Sequence, residues 1–228
     1  CVDCYGDSAQ HIAGNGVERL DAAQRPRRGK GSMIRLERMT FAYAGQPAIL
    51  EDVSLTLPDS GVFALMGPSG SAKTTFLRLL AGLEVPQSGA ITGTQGQKVI
   101  LLFQEDRLLP WCTVLENVQL AMPNPDDVEA RRILQLVELA DSGNAFPKSL
   151  SGGMKRRAAQ ARAIAAKPDI LLLDEPFNGL NVEMKQRIAP ALRAAAKLIV
   201  FTTHDPAEAE MIKTEQIFRI EGKNILKL

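Results

Sequence analysis

The chain has 228 residues, 45% hydrophobic and 23% charged, enough to bury one sizeable core with at most a small second lobe. Lys and Arg number 27 against 26 Asp and Glu, a net charge of +1, so composition implies no bulk attraction to nucleic acid or anionic lipid. Cys1, Cys4 and Cys112 make no disulfide framework, and there is neither a signal-peptide apolar region nor a run of about 18 apolar residues, so a soluble, cytoplasmic protein is expected.

Residues 1–32 are polar, rich in Gly and Arg, and lack helical or strand periodicity. They read as a disordered leader, either non-native upstream sequence or a natural arm. From Met33 two short strands are predicted, MIRLERMTFAY and AILEDVSLTL, parted by the turn signal AGQP. The apolar run VFALM (62–66) feeds the stretch GPSGSAKTT, and KTTFLRLLAG follows as a helix closed by Gly82. KVILLF (98–103) is a further strand, and DVEARRILQLVELA (127–140) carries Ile133, Leu136, Val137 and Ala140 at helical spacing. In LSGGMKRRAAQARAIAAKP, Ser151 is placed to cap a helix that Pro168 terminates. DILLLDEP (169–176) is an apolar strand ending in two acids, the pattern of a buried parallel strand whose carboxyl end meets a site. A helix VEMKQRIAPALRAAA, kinked at Pro190, leads to the strand KLIVFTTHD (197–205), and EQIFRI-EGKN-ILKL closes as a hairpin. Strands alternating with helices predict a mostly parallel α/β core.

The stretch Gly67, Pro68, Ser69, Gly70, Ser71, Ala72, Lys73, Thr74, Thr75 nearly matches the phosphate-binding loop G-x-x-x-x-G-K-[ST]. A strand that delivers a Gly-rich turn onto a helix start gathers backbone N–H groups and the helix dipole around one point, which suits a polyphosphate. Lys73 would neutralise the β and γ phosphates, Thr74 would ligate Mg²⁺, and Thr75 would meet an α-phosphate oxygen. Taken alone, the stretch is also compatible with an ordinary strand-to-helix turn that holds a lysine. The departure is Ala72, where the pattern has glycine. A left-handed conformation there would cost alanine roughly 1–2 kcal/mol, or about five- to thirty-fold in affinity. Right-handed angles would favour alanine by about 0.5–1 kcal/mol. Because the helix begins at about Lys73, the right-handed case is the expectation, leaving only a methyl that crowds the β-phosphate. Asp174 offers the hard oxygen that Mg²⁺ needs, and Glu175 beside it is suited to orient or polarise an attacking water.

From Met33 to Leu228 the sequence resembles the nucleotide-binding subunit of an ATP-binding cassette (ABC) transporter. LSGGM followed by KRRAAQARAI resembles that family's signature loop and helix, Gln104 its Q-loop, His204 in FTTHD its H-loop, and Tyr43 its adenine-stacking aromatic. The resemblance implies a P-loop NTPase of the ABC ATPase type over residues 33–228: a mostly parallel sheet core, an antiparallel β subdomain, and a small helical subdomain at about residues 105–166. It implies ATP and Mg²⁺ as ligands, with Glu175, His204, Lys73 and Gln104 in the catalytic set and Thr74, Gln104 and Asp174 around the metal. Ser151, Gly152 and Gly153, a helix N-terminus rich in donors, would complete the ATP pocket of a second subunit.

The implied partners are a second copy or a homologous ATPase subunit, membrane permease subunits and, indirectly, a solute-binding protein, with no nucleic acid. The implied location is the inner face of the cell membrane. Leu109-Pro110-Trp111 is similar to importers of the nitrate, sulfonate and taurine group. Two other readings are a degenerate cassette assisting an active partner and a non-transport ABC ATPase. Met154 replaces the signature glutamine, and Asn181 replaces the aspartate of a loop that crosses the dimer interface in the family.

Overall fold

The computed structural model describes residues 33–228, so the expectation for residues 1–32 lies outside the described residues. The described residues open with β1 (Ile34–Phe41) and β2 (Leu50–Leu57); β1 pairs antiparallel with β2 on one side and with β4 (Ser88–Thr92) on the other, giving the order β2-β1-β4. The strand β4 has no counterpart in the sequence reading, because SGAIT is short, has a glycine at its second position and buries little. Gly89 fits there only because it lacks a side chain. A Cβ would lie 2.3 Å from Glu37 O, and its φ is +78°.

The larger sheet has six strands: β3 (Gly61–Met66), β5 (Val99–Leu102), β6 (Ile170–Leu173), β7 (Leu198–Thr203), β8 (Gln216–Glu221) and β9 (Asn224–Lys227). Their order is β5-β6-β7-β3-β8-β9, all neighbours parallel except the closing hairpin β8-β9. Period-two alternation sends Phe63, Leu65, Leu172 and Val200 to one face and Val62, Ala64, Leu171, Leu173 and Phe201 to the other. The first face packs on α1 (Lys73–Leu80) and the antiparallel sheet; the second packs on α4 (Gly152–Ala165), α5 (Val182–Arg193) and α6 (Pro206–Met211). With both faces covered, the parallel strands are apolar along their length, which is why ILLL and the LIVF of LIVFTT read as unbroken hydrophobic runs.

A third core joins α2 (Val114–Gln119), α3 (Asp127–Leu136) and α4 through Val118, Ile133, Leu134, Val137, Ala158 and Ala161. The helix α3 ends sooner than its periodicity suggested, because Glu138 turns left-handed at φ 54° and Ala140 begins a short 3₁₀ turn. The α1 terminus is a Schellman turn, with Leu83 N–H donating to Arg78 O at 2.9 Å and Gly82 N–H to Leu79 O at 3.0 Å. No helix among the described residues is long and apolar enough to cross a membrane.

Candidate functional site

Four parallel strands end at one edge of the sheet, and each hands the chain to a residue singled out above. In spatial order β5 leads to Gln104, β6 to Asp174 and Glu175, β7 to His204, and β3 to the loop starting at Gly67. Parallel strands place their carboxyl ends together, so residues far apart in sequence converge.

An open cleft of about 410 Å³ is lined by Tyr43, Gln46, Ile49, Ser69, Gly70, Ala72, Lys73, Thr74, Thr75, Gln104 and Glu175. The Lys73 ammonium, on a buried side chain, donates to Gly67 O and Pro68 O at 2.9 Å each. The Thr74 hydroxyl donates to Asp174 Oδ2 at 2.7 Å, and the buried Thr202 hydroxyl donates to Asp174 Oδ1 at 2.7 Å. Thr202 Oγ1 in turn accepts the Glu175 N–H at 2.9 Å. This contact is possible because β7 runs two residues beyond β6, where Leu173 stands opposite Phe201. Tyr43 is held edge-on to Phe41, with ring centroids 5.0 Å apart, and its hydroxyl lies 3.1 Å from Thr75 Oγ1.

Ala72 departs from its expectation. Its φ is 69° and ψ 16°, squarely left-handed. The reason is its position: Ala72 is the N-cap residue of α1, still outside the helix, and Lys73 is the first residue with helical angles. The methyl lines the cleft and packs partly on the first core, which offsets some of the strain. Because the strained conformation belongs to the folded loop itself, Ala72→Gly is expected to act mainly on folding stability. Relief of roughly 1–2 kcal/mol of strain against about 0.5–1 kcal/mol of added chain entropy should raise the unfolding temperature by about 1–4 °C. A thermal-melt comparison of the two chains checks this; a lowered melting temperature would contradict it.

Other residues are not gathered into this cleft. His204, exposed at the end of β7, borders a separate concavity of about 570 Å³ with Gly67, Pro68, Arg219 and Glu221. Ser151, Gly152 and Gly153 open α4 elsewhere: the Ser151 hydroxyl caps the helix by accepting Met154 N–H at 3.3 Å, and a Cβ on Gly153 would meet Gly179 O at 3.6 Å. Asn181 caps α5, its side-chain oxygen accepting Met184 N–H at 2.9 Å, a task that asparagine and aspartate perform about equally well. Trp111 is 72% exposed, so it does not pack into the helical lobe.

Sequence reasoning missed Arg156 and Thr202. Arg156 is only 4% exposed and lies on the buried stripe of α4 with Ala159, Gln160 and Ala163. A charged residue on an otherwise alanine-rich stripe was the available signal. Burial pulls its pKa down, opposed by the charges of Asp106, Asp174 and Glu175. Burial likewise raises the Asp106 carboxyl, with Arg156 pulling the other way.

The residues present fit a magnesium nucleotide. Thr74 and Asp174 set two hard oxygens side by side, no side chain caps the N-terminus of α1, and the buried Ser71 Oγ in the same loop has no hydrogen-bond partner.

Strand order, phosphate-type loop and strand-end acids together define a P-loop nucleotide hydrolase. The family model described as "ABC transporter" matches residues 50–178, more than half the chain, and the chain belongs to that family. It is an ATPase whose ligands are ATP and Mg²⁺. Among its relatives is the aliphatic sulfonates import ATP-binding protein of Paracoccus denitrificans, 39% identical over 186 residues, covering 78% of this chain and 76% of that protein. The protein of the same description from Zymomonas mobilis is 42% identical over 189 residues, covering 78% and 79%. Among solved structures, an ATP-binding subunit of an ABC transporter superposes with TM-score 0.76 at 23% identity, covering 86% of this chain and 90% of that one. A dimeric cassette in a post-hydrolysis state, bound to ADP and Pi, gives TM-score 0.72 at 26% identity, covering 86% and 98%.

Proposed function

We propose that this chain is the ATP-hydrolysing motor subunit of an importer for sulfonates or chemically similar oxyanions, working at the inner face of the membrane as a head-to-tail pair with itself or a homologous subunit. The observation that carries the reading is the meeting of Lys73, Thr74 with Asp174, and Glu175 at one cleft beside the loop. Lys73 spends two of its three N–H groups on loop carbonyls, which holds the ammonium at the loop's centre and leaves one for a phosphate oxygen. Thr74 and Asp174 would hold Mg²⁺. When bound, the metal neutralises charge building on the transferred phosphoryl group. Glu175 accepts a hydrogen bond from the attacking water and orients it, with Gln104 lining the same cleft. Tyr43 offers a ring face to the adenine.

The pairing is supported by what one chain lacks: Ser151, Gly152 and Gly153 do not line its own cleft, and a second copy would bring them to it. His204 would meet the γ-phosphate from its neighbouring concavity. The sulfonate class rests on the relatives' descriptions, and the exposed Trp111 leaves an apolar group free for a permease. A permease and a solute-binding protein are the partners this reading requires.

The test is growth of a strain lacking its sulfonate-import ATPase, supplied with this chain and its permease, on an alkanesulfonate as sole sulfur source. Rescue that disappears with the chain omitted is expected. Failure on sulfonate and on nitrate beside chain-dependent uptake of a neutral or cationic solute would overturn the solute class.

A further inference from the structure

We propose that Arg156 is a positioning residue for ATP hydrolysis, clamping the Glu175 peptide, together with Thr202, in the conformation that presents its carboxylate to the cleft. This rests on the reading of Glu175 given above.

Glu175 has φ 46°, in the left-handed region that a residue with a Cβ avoids. Such a conformation persists only where surrounding bonds over-determine it. Two groups do so here, one on each side of the residue. The Glu175 N–H donates to Thr202 Oγ1 at 2.9 Å, and the Glu175 carbonyl accepts from Arg156 Nη2 at 2.7 Å. The same guanidinium nitrogen donates to Asp174 O at 2.6 Å, and Arg156 Nε donates to Pro176 O at 3.2 Å. Three successive carbonyls at the end of β6 are therefore fixed by one side chain.

The other end of the fork reaches the segment after β5. Arg156 Nη1 donates to Phe103 O at 2.6 Å and Gln104 O at 3.2 Å, and lies 3.5 Å from Asp106 Oδ1. A planar group with five N–H donors in fixed directions can hold both segments at once; an ammonium, with all its donors on one nitrogen, cannot. Arg156 thus sets the distance between the backbone of Gln104 and that of Glu175, the two cleft residues that come from neighbouring strands. It does so from α4, the helix whose first residues are Gly152 and Gly153.

The experiment compares Arg156→Gln, Arg156→Lys, Thr202→Val and Glu175→Gln in the full chain, measuring kcat and KM for Mg-ATP and, separately, nucleotide affinity by equilibrium titration with a fluorescent ADP. Arg156→Gln is expected to lower kcat at least about tenfold with nucleotide affinity held within about threefold, since it acts on an interaction used in the chemical step. Arg156→Lys should recover only part of the loss. Thr202→Val, which keeps the side-chain shape, should lower kcat too, and its effect should not simply add to that of Arg156→Lys in a double-mutant cycle. If Arg156→Gln does not fold, Arg156→Lys and Thr202→Val carry the same comparison. Unchanged kcat in these variants, or kcat and affinity falling together, overturns the proposal. Glu175→Gln separates the two readings: if it retains full turnover, the assignment of Glu175 is wrong; if it abolishes turnover while the Arg156 variants leave kcat unchanged, only the clamp is wrong.

Discussion

Glu175→Gln is expected to reduce ATP turnover by roughly 10²- to 10⁴-fold, the range lost when a positioned general base is removed. The substitution keeps size and the backbone bonds to Thr202 and Arg156, so the strained peptide and the cleft wall should persist. What changes is charge. An amide cannot accept a proton from water at neutral pH, and its dipole polarises the water far less than a carboxylate does. Nucleotide affinity should therefore stay within a few-fold, because Lys73, Thr74 and Asp174 are untouched. Phosphate release at high protein concentration, read beside fluorescent-nucleotide binding, checks both halves. Equal loss of binding and turnover would mean that Glu175 supports the cleft rather than the chemistry.

Lys73→Met should do the opposite, with its main effect on binding. The buried ammonium bridges Gly67 O and Pro68 O at 2.9 Å and is the only cation lining the cleft among the described residues. Methionine is of similar length and tolerates burial, so the side chain's buried position should survive. The loss is of charge-assisted hydrogen bonds worth about 1.5–3 kcal/mol each, plus two carbonyls left without their donor. Nucleotide affinity is expected to fall by about 10- to 150-fold, and stability by about 1–3 kcal/mol, because removing a buried charge offsets part of the loss at the two carbonyls. Titration with a fluorescent ATP analogue and a thermal melt separate the two effects. Undiminished affinity would remove Lys73 from the phosphate site.

The parts of the site that were legible in the sequence are those whose signal is local. GPSGSAKTT between an apolar run and a helical pattern, and ILLLDEP with its acids after four apolar residues, each carry their own geometry: the strand fixes where the following residues emerge. Tyr43 and Gln104 were read only through family order, and the fold then set both on the wall of one cleft with Lys73 and Glu175. The Ala72 conformation was misjudged because the difference between a cap and a first helical residue is one position, and periodicity does not resolve one position. Arg156 escaped because one cation among the several of KRRAAQAR reads as part of a solvated face; only the packing of α4 beneath the ends of β5 and β6 turns that side chain inward.

By itself, the sequence determined the alternation of strands and helices, the parallel core, the phosphate-type loop and the paired acids, because hydrophobic periodicity and glycine placement act over a few residues. The tertiary structure alone decided which of these meet. Strand order put Gln104 and Glu175 just past the ends of adjacent strands; the two-residue overhang of β7 brought Thr202 to Asp174; and α4 left Ser151 out of the lining of its own chain's cleft while burying Arg156. Those outcomes depend on strand pairing and helix packing between segments distant in the chain, and no local pattern encodes a distance between them.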